Sequence, residues 1–139
     1  MTGEKITAAQ LKRIEKAIDT VPFAQLLGIE LDNISSGTAT LGLNIRKQLL
    51  QNHGVVHGGV IASLIDTATA FAIISMLAPS EKVTTVDLTV SLLRPLTEGR
   101  VTAVAKVLRS GRRLFVVSAE VFDTDGKLAT TALSTYMKI

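Results

Sequence analysis

Apolar residues recur with helical spacing near the start of the chain. These apolar residues are Leu11, Ile14 and Ile18, and lysine, arginine and glutamate occupy the other faces of the same helical turns. Thr7 followed by Gln10 has the pattern of a capping box, and Pro22 ends the segment. We therefore predict a short amphipathic helix over about 8–20, inside an N-terminal helical segment 1–21, with one more turn over 23–27.

The apolar pattern then changes to the period of two that is typical of strands. An extended segment begins at 29, and after the turn at 35–37 the run 38–45 alternates strictly. Later alternating runs are separated by turns with Pro or Gly, and they cover 83–93, 100–109, 114–122 and 127–139. In the first of these the residues on one face are Val86, Leu88, Val90 and Leu92, and those on the other are Asp87, Thr89 and Ser91.

One long apolar run separates the two groups of strands. It extends from Gly58 to Ala78, is apolar on nearly all sides, and is followed by Pro79. Asp66 lies near its centre, and a carboxylate in the middle of a bilayer costs about 2.5–3.5 kcal/mol. The run is better explained as a helix enclosed by protein. The pattern predicts an α+β fold in which a mostly antiparallel sheet wraps around this helix, with another subunit covering its remaining faces.

Composition limits the classes of function. With 139 residues, 47% hydrophobic and 19% charged, we expect one well-packed domain over 1–139. The absence of cysteine excludes disulfides, thiolate zinc sites and a cysteine nucleophile. The first residues have no apolar signal region, so we expect a cytoplasmic protein without a membrane anchor. A net charge of +3 is too small to indicate nucleic-acid binding.

The start of the long helix is the first candidate for chemistry. The first backbone N–H groups of a helix have no partner within it and lie at the positive end of its dipole. His57 precedes the helix and Gly58 opens it, so a ligand oxygen can approach closely. Donors that point at a developing oxyanion are worth about 2.7–4 kcal/mol each. The pattern fits an oxyanion hole.

Asp66 cannot easily reach this helix start within one chain. It follows His57 by nine residues, which places it about 13 Å along the helix axis and on the opposite face. If both groups serve one reaction, the carboxylate comes from a second subunit. Two antiparallel helices related by a two-fold axis would then form two equal sites.

These residues carry a family resemblance. The string Gly54-x-x-His57-Gly58-Gly59, with Asp66 in the following helix, resembles the hot-dog-fold acyl-CoA thioesterases. The nearest branch is that of the PaaI-like (phenylacetate-degradation) and 4-hydroxybenzoyl-CoA thioesterases. The similarity continues through "VDLTVSLLRP", "VLRSGRR" and "DTDGKLATTALST", so it covers most of the chain after about residue 20.

The resemblance implies a role for each residue of the motif. Asp66 is the general base or the nucleophile, and the N–H of Gly58 polarises the thioester carbonyl. His57 and an upstream amide complete the pocket; Gln51 is the first candidate for that amide and Asn52 the second. Thr85 matches a hydroxyl that helps to hold the attacking water in some relatives. No cofactor and no metal is implied, since a CoA thiolate leaves readily.

Further residues are candidates for binding the substrate. Relatives use basic residues on such surfaces to bind the nucleotide phosphates of CoA, so the resemblance makes the arginines at two turns candidates for this role. With the neighbouring small residues, the candidate set is Gly59, Arg94, Arg109, Ser110, Gly111, Arg112 and Arg113. The candidate walls of the acyl pocket are Ala62, Ala70, Phe71 and Ile74. The resemblance also implies a homo-oligomer, with a dimer as the unit and a tetramer built from it.

Other classes of function have less support in the sequence. A hot-dog enoyl-CoA hydratase or dehydratase shares the fold, but no second histidine follows Asp66. A non-catalytic acyl-CoA-binding module also stays open. A metal at His53, His57 and Asp66 is disfavoured because the segment between the histidines is a poor helix. Ser63 lacks the G-x-S-x-G context of a serine hydrolase. The arginines have no aromatic stacking partners, which disfavours nucleic acid.

Overall fold

The computed structural model describes residues 3–139, so the first two residues of the predicted N-terminal segment lie outside the described residues. The order of elements is the predicted one: a helical segment, two strands, one long helix and four strands. The elements are α1 (Ala8–Thr20), α2 (Pro22–Leu27), β1 (Glu30–Ser35), β2 (Thr38–Asn44), α3 (Gly58–Ile74), β3 (Val83–Leu92), β4 (Arg100–Ser110), β5 (Leu114–Phe122) and β6 (Leu128–Lys138).

The capping box predicted for α1 is present. Thr7 Oγ1 accepts a hydrogen bond from the Gln10 N–H at 3.1 Å, and Gln10 Oε1 accepts one from the Thr7 N–H at 2.7 Å. Ile14 and Ile18 are buried on the inner face of the helix. The turn after Pro22 forms α2, which ends at Gly28 in the left-handed conformation that glycine adopts without strain.

The six strands form one antiparallel sheet in the order β1-β2-β4-β5-β6-β3. Alternate residues of β2, β4 and β5 are buried under α3, which confirms the predicted alternation. Leu64, Ile65 and Ala68 of α3 complete this core. The antiparallel sheet around a long central helix is therefore confirmed.

Helix α3 is shorter than predicted. It ends at Ile74 and not at Ala78, so the expectation that Pro79 ends the helix is wrong. The buried Ser75 hydroxyl donates to the Ala72 carbonyl at 2.6 Å and accepts from the Gly37 N–H at 2.8 Å. A serine that bonds to nearby backbone competes with the helical ladder, and the chain leaves the helix at this point.

Helix α3 covers only part of the concave face of the sheet. It contacts mainly β2, β4 and β5 and touches β3 and β6 less. A stripe along α3 stays half-buried, and it includes Ala62, Asp66, Ala70 and Ile74. On β3, Leu92 also faces the helix side yet is 56% exposed. A strip between α3 and β3 is therefore uncovered, and the prediction that another subunit covers the remaining faces of the helix stays a prediction.

Strand β3 contains a bulge at Val86. Its pairing with β6 shifts between Thr85 and Asp87, so Thr85 is opposite Tyr136 while Asp87 is opposite Thr135. The extra residue reverses the alternation, and Thr85 faces the same side of the sheet as Leu88. The prediction that Val86 continues the face of Leu88, Val90 and Leu92 is therefore wrong.

Across residues 3–139, no helix is both long and apolar enough to cross a membrane.

Candidate active site

His57 caps the start of α3 with its own side chain. Its Nδ1 atom accepts a hydrogen bond from the Gly59 N–H at 2.8 Å, so the proton of the neutral ring is on Nε2. A Cβ atom at Gly59 would lie 2.9 Å from this Nδ1, which is why the second glycine is needed here. The structure thus assigns Gly59 to the support of the cap.

The N–H of Gly58 has no hydrogen-bond acceptor within residues 3–139. It is the first residue of a 17-residue helix, so the helix dipole adds to the positive potential at this donor. Gly58 itself is half-buried, and a Cβ atom at this position would lie 3.1 Å from the Leu92 side chain. A carbonyl oxygen can therefore approach a free, oriented N–H.

A cleft of about 200 Å³ opens beside this N–H. We call it the Gly58 cleft; its lining includes Gln51, Val56, Gly58, Ile61, Leu92 and Thr130. Of the two candidate amides, Gln51 lines this cleft and Asn52 does not. The difference follows from the loop, in which the Gln51 N–H donates to the Val55 carbonyl and Gly54 turns with a φ of 74°. Gln51 is thus the better placed amide.

Asp66 is held by two hydroxyl groups. Thr85 Oγ1 donates to Asp66 Oδ1 at 2.8 Å, and the Tyr136 hydroxyl lies 3.0 Å from the same oxygen. The other carboxylate oxygen has no partner among residues 3–139. The bulge in β3 makes the first contact possible, because regular alternation would place Thr85 on the outer face of the sheet. Thr85, which the resemblance implies in holding the attacking water, thus lies beside the Asp66 carboxylate of its own chain; the role itself stays a prediction.

Tyr136 is a site residue that the sequence analysis missed. It is 2% exposed, and its hydroxyl also contacts the Asp66 carbonyl at 2.7 Å and Thr69 Oγ1 at 2.8 Å. Burial, the largest cause, acts together with the nearby Asp66 carboxylate to raise the pKa of Tyr136 to about 12, against the opposing hydrogen bonds from Thr69 and Thr85. The available signal was that this is the only tyrosine of the chain, on a strand whose inward positions carry Thr130, Ser134 and Tyr136.

A second cleft, of about 430 Å³, lies along the Asp66 side of α3. We call it the Asp66 cleft; its lining includes Asp66, Ala70, Ile74, Val83, Thr85 and Tyr136. Ala70 and Ile74 were predicted walls of an acyl pocket. Phe71, the one aromatic candidate of that prediction, is 3% exposed and packs into the core instead of lining the cleft. Ala62 lines neither of the two clefts.

The two clefts are separate within one chain. Gly58 and Asp66 are eight residues apart on α3, which corresponds to about 12 Å along the axis. One cleft holds the free N–H donor and the other holds the carboxylate. Within one chain the free N–H and the carboxylate therefore do not meet.

The candidate CoA-binding arginines lie at two ends of the sheet. Arg94 follows β3 and lines the Gly58 cleft. Arg109 and Ser110 end β4, and Gly111, Arg112 and Arg113 form the turn to β5. This end of the sheet lies beside the C-terminal end of α3, since the Val107 N–H donates to the Gly37 carbonyl and the Gly37 N–H donates to Ser75. All four arginine side chains are exposed. One chain does not bring the two groups together.

Comparison with known proteins identifies the family. The family model of the thioesterase superfamily matches residues 53–130, which is more than half of the chain and includes the Gly58 motif, Asp66, Thr85 and Thr130. The chain belongs to the thioesterase superfamily. It has the hot-dog fold of this superfamily and is a thioester hydrolase. Among the functions left open by the sequence, family membership favours a thioester hydrolase over an enoyl-CoA hydratase or a non-catalytic acyl-CoA-binding module.

Individual members of the thioesterase superfamily match over nearly the whole chain. The medium/long-chain acyl-CoA thioesterase YigI of Salmonella typhimurium is 31% identical, with 95% of this chain and 96% of that protein covered. A thioesterase family protein from Silicibacter pomeroyi has a solved structure with a TM-score of 0.88 at 26% identity, covering 94% of this chain and 98% of that one. The E. coli PaaI protein from the phenylacetic acid degradation operon has the same fold, with a TM-score of 0.88 at 24% identity and coverage of 97% and 96%.

Proposed function

We propose that this thioesterase hydrolyses acyl-CoA to the free acid and CoA, at a site formed by the Asp66 cleft of one protomer and the Gly58 cleft of a second copy. The observation that carries the proposal is the free N–H of Gly58 at the start of α3, in a chain whose carboxylate is anchored about 12 Å away. The acyl-CoA class is supported by the YigI relatives, which are thioesterases for medium- and long-chain acyl-CoA.

The residues account for each step of the reaction. The free oxygen of Asp66 takes a proton from water, and the resulting hydroxide adds to the thioester carbonyl carbon. Charge develops on the carbonyl oxygen, where the Gly58 N–H and the helix dipole stabilise it. The C–S bond then breaks, and the CoA thiolate leaves with a proton returned from Asp66. We assign Asp66 as the general base; its Oδ2 atom takes the proton, because Thr85 already donates to Oδ1.

A second copy of the chain would supply the missing half of each site. The strip between α3 and β3 is open and includes the half-buried Ala62 and the exposed Leu92. An antiparallel copy seated on this strip would bring its Asp66 toward Gly58 of the first chain. Further exposed apolar side chains on the outer face of the sheet, Val104 and Leu133, suit the pairing of two such dimers into the expected tetramer.

In this arrangement the arginines would bind the phosphates of CoA. Arg94 lines the Gly58 cleft, and the β4–β5 turn with Arg109, Arg112 and Arg113 lies at the other end of the same chain. Antiparallel packing would bring the turn of one copy toward the Gly58 end of the other, so that both groups serve one nucleotide. The cytoplasmic location and a single domain over 1–139 stay predictions.

Two positions test the mechanism directly. Asp66→Ala removes the base and is expected to abolish thiol release. Gly58→Pro removes the N–H; proline is favoured at the first position of a helix, and His57 already has the extended conformation that precedes proline. Loss of an oxyanion donor lowers kcat about 10²- to 10³-fold. Release of CoA is measured with a thiol reagent on a panel of acyl-CoAs.

Gly58→Ala is the matched control for the proline variant. It adds a Cβ at the same place, next to the flexible end of Leu92, but keeps the N–H. We expect it to retain most of the activity that Gly58→Pro loses. Equal kcat values for Gly58→Pro and Gly58→Ala would contradict the assigned mechanism, and so would full turnover by Asp66→Ala. A circular dichroism spectrum of each variant verifies that it is folded.

A further inference from the structure

One polar side chain at the site lacks a hydrogen-bond partner. Thr130 of β6 is 0% exposed, and its Oγ1 is the one buried side-chain N or O atom of residues 3–139 without a partner. A buried hydroxyl left unpaired costs about 1–3 kcal/mol. Most buried polar groups in folded proteins are paired, so an exception at a functional site points to a missing ligand atom.

The position of Thr130 makes it part of the Gly58 cleft. It lies between Leu92 of β3 and Val121 of β5, on the concave face of the sheet. Two other polar residues of β6 share this face, and both are paired: Ser134 donates to the Asp87 carbonyl, and Tyr136 contacts Asp66. Thr130 is thus the member of this polar row whose partner is not supplied by the chain.

Burial along the cleft gives the order in which a substrate meets its residues. Gln51 is exposed, Gly58 is half-buried and Thr130 is fully buried. A thioester carbonyl bound at the Gly58 N–H therefore has the Thr130 hydroxyl farther inside. The walls at that depth are apolar, with Val56, Ile61 and Leu96 buried. An acyl group suits this environment better than the amide-containing arm of CoA.

The size of the cleft fits a compact acyl group. It measures about 200 Å³, and an apolar cavity of about 150 Å³ holds benzene. A ring or a short chain thus fills the space, with one polar atom facing Thr130. A threonine hydroxyl both donates and accepts, so the complementary group is a hydroxyl or a carbonyl oxygen.

We propose that Thr130 is a specificity-determining residue that hydrogen-bonds a hydroxyl or oxo group on the acyl part of the substrate. This inference rests on the proposed acyl-CoA hydrolysis, since it places the acyl group inside the Gly58 cleft. It assigns a preference for acyl groups with one polar atom over the same carbon skeleton without it. An acyl group without that atom leaves the hydroxyl unpaired in the complex.

The test compares matched acyl-CoA pairs. Benzoyl-CoA is assayed beside its three monohydroxy isomers, and hexanoyl-CoA beside its 3- and 6-hydroxy derivatives. We expect the wild-type protein to prefer at least one hydroxylated member by about tenfold or more in kcat/KM. In Thr130→Val that preference disappears, while Thr130→Ser retains it because the hydroxyl remains.

Controls separate specificity from folding. Thr131→Val makes the same change at the next residue, which faces the other side of the sheet, and is expected to keep the wild-type preference. Thr130→Val removes an unpaired hydroxyl, so its melting temperature is expected to equal or exceed that of the wild type.

The remaining outcomes decide against the inference in distinguishable ways. If Thr130→Val slows all acyl-CoAs equally, the hydroxyl contacts the thioester or the CoA arm, and the assigned role is wrong. If acyl-CoAs are hydrolysed with no hydroxylated member preferred, the acyl specificity is wrong and the proposed function stands. If no acyl-CoA releases thiol, the proposed function itself fails and the inference fails with it.

Discussion

At the scale of single residues, Asp66 and Tyr136 are coupled. The tyrosine hydroxyl is within hydrogen-bond distance of both the carboxylate and the carbonyl of Asp66, so it fixes the side chain relative to its own backbone. Burial keeps the phenol protonated far above neutral pH, and its hydroxyl therefore stays a hydrogen-bond donor at neutral pH. The pair gives the proposed base a defined orientation with one oxygen free.

The raised pKa of Tyr136 is directly measurable. The chain has one tyrosine and no tryptophan, so the phenolate absorbance in an alkaline titration reports this residue alone. We expect a midpoint near 12 in the folded protein and near 10.0 in urea. Because the pKa of Tyr136 is higher in the folded than in the unfolded protein, the protonated phenol contributes to the free energy of unfolding. This contribution is fully present below pH 10 and is lost as pH rises toward 12.

Two variants divide the causes of that shift. In Asp66→Asn the negative charge is gone, and the pKa of Tyr136 is expected to fall but to remain above 10, since burial is the larger cause. Asp19→Asn changes an exposed carboxylate on α1 and is expected to leave the midpoint unchanged. A folded midpoint near 10 in the wild type would contradict the buried, carboxylate-facing phenol.

At the scale of elements, the bulge in β3 determines which hydroxyl reaches the carboxylate. The extra residue Val86 turns Thr85 toward the helix, although the alternation of Leu88, Val90 and Leu92 places odd-numbered residues outside. The fully buried Ser134 donates to the carbonyl of Asp87 at 2.9 Å and so satisfies the backbone at the bulge. The strand is thereby held in the register that the site requires.

Ser134→Ala tests this account of the bulge. The substitution leaves the Asp87 carbonyl without its partner, which costs about 1–3 kcal/mol of unfolding free energy. We also expect a lower kcat, because Thr85 is positioned by the same bulge. Urea unfolding and the thiol-release assay measure the two effects. Ser91→Ala, on the exposed side of β3, is the control and is expected to change the free energy of unfolding by no more than about 0.5 kcal/mol. Equal effects of the two substitutions would contradict a role for the Ser134 hydrogen bond in holding the bulge.

At the scale of the whole molecule, the proposed function joins the Gly58 cleft and the Asp66 cleft through a second copy of the chain. The free N–H and the carboxylate are about 12 Å apart on one helix, and the strip between α3 and β3 is open on the side where a copy would pack. An enzyme built in this way has two equal sites in each dimer, and each chain contributes to both. Thioester hydrolysis would then depend on the dimer and not on the single chain.

Mixed dimers test the shared site. Asp66→Ala and Gly58→Pro chains are each inactive alone, but a hybrid dimer contains one intact site and one site that lacks both groups. Random reassembly of equal amounts gives hybrids in half of the dimers, so about a quarter of the wild-type activity is expected to return. Sedimentation of the mixture verifies that dimers or tetramers are present. No recovery after verified exchange of chains would mean that both groups act within one protomer.

Much of the fold could be predicted from the sequence because its signals are local. The capping box of Thr7 and Gln10, the alternation of apolar residues in the strands and the apolar run from Gly58 each act within a few positions. The motif around Gly58 and Asp66 likewise identified the family and the candidate donor and carboxylate. These features depend on backbone periodicity and on the chemistry of neighbouring residues.

Other features depend on residues far apart in the chain, and only the tertiary structure decided them. Ser75, where α3 ends, accepts a hydrogen bond from Gly37, 38 positions away, while Tyr136 meets Asp66 from 70 positions away. The bulge at Val86 appears only in the pairing of β3 with β6, and it reverses the side on which Thr85 lies. In the sequence Thr130 has the pattern of an ordinary strand residue, and only the structure shows that its hydroxyl is buried without a hydrogen-bond partner. Local periodicity thus determined the elements of this thioesterase, whereas contacts between distant strands and α3 determined which side chains face its site.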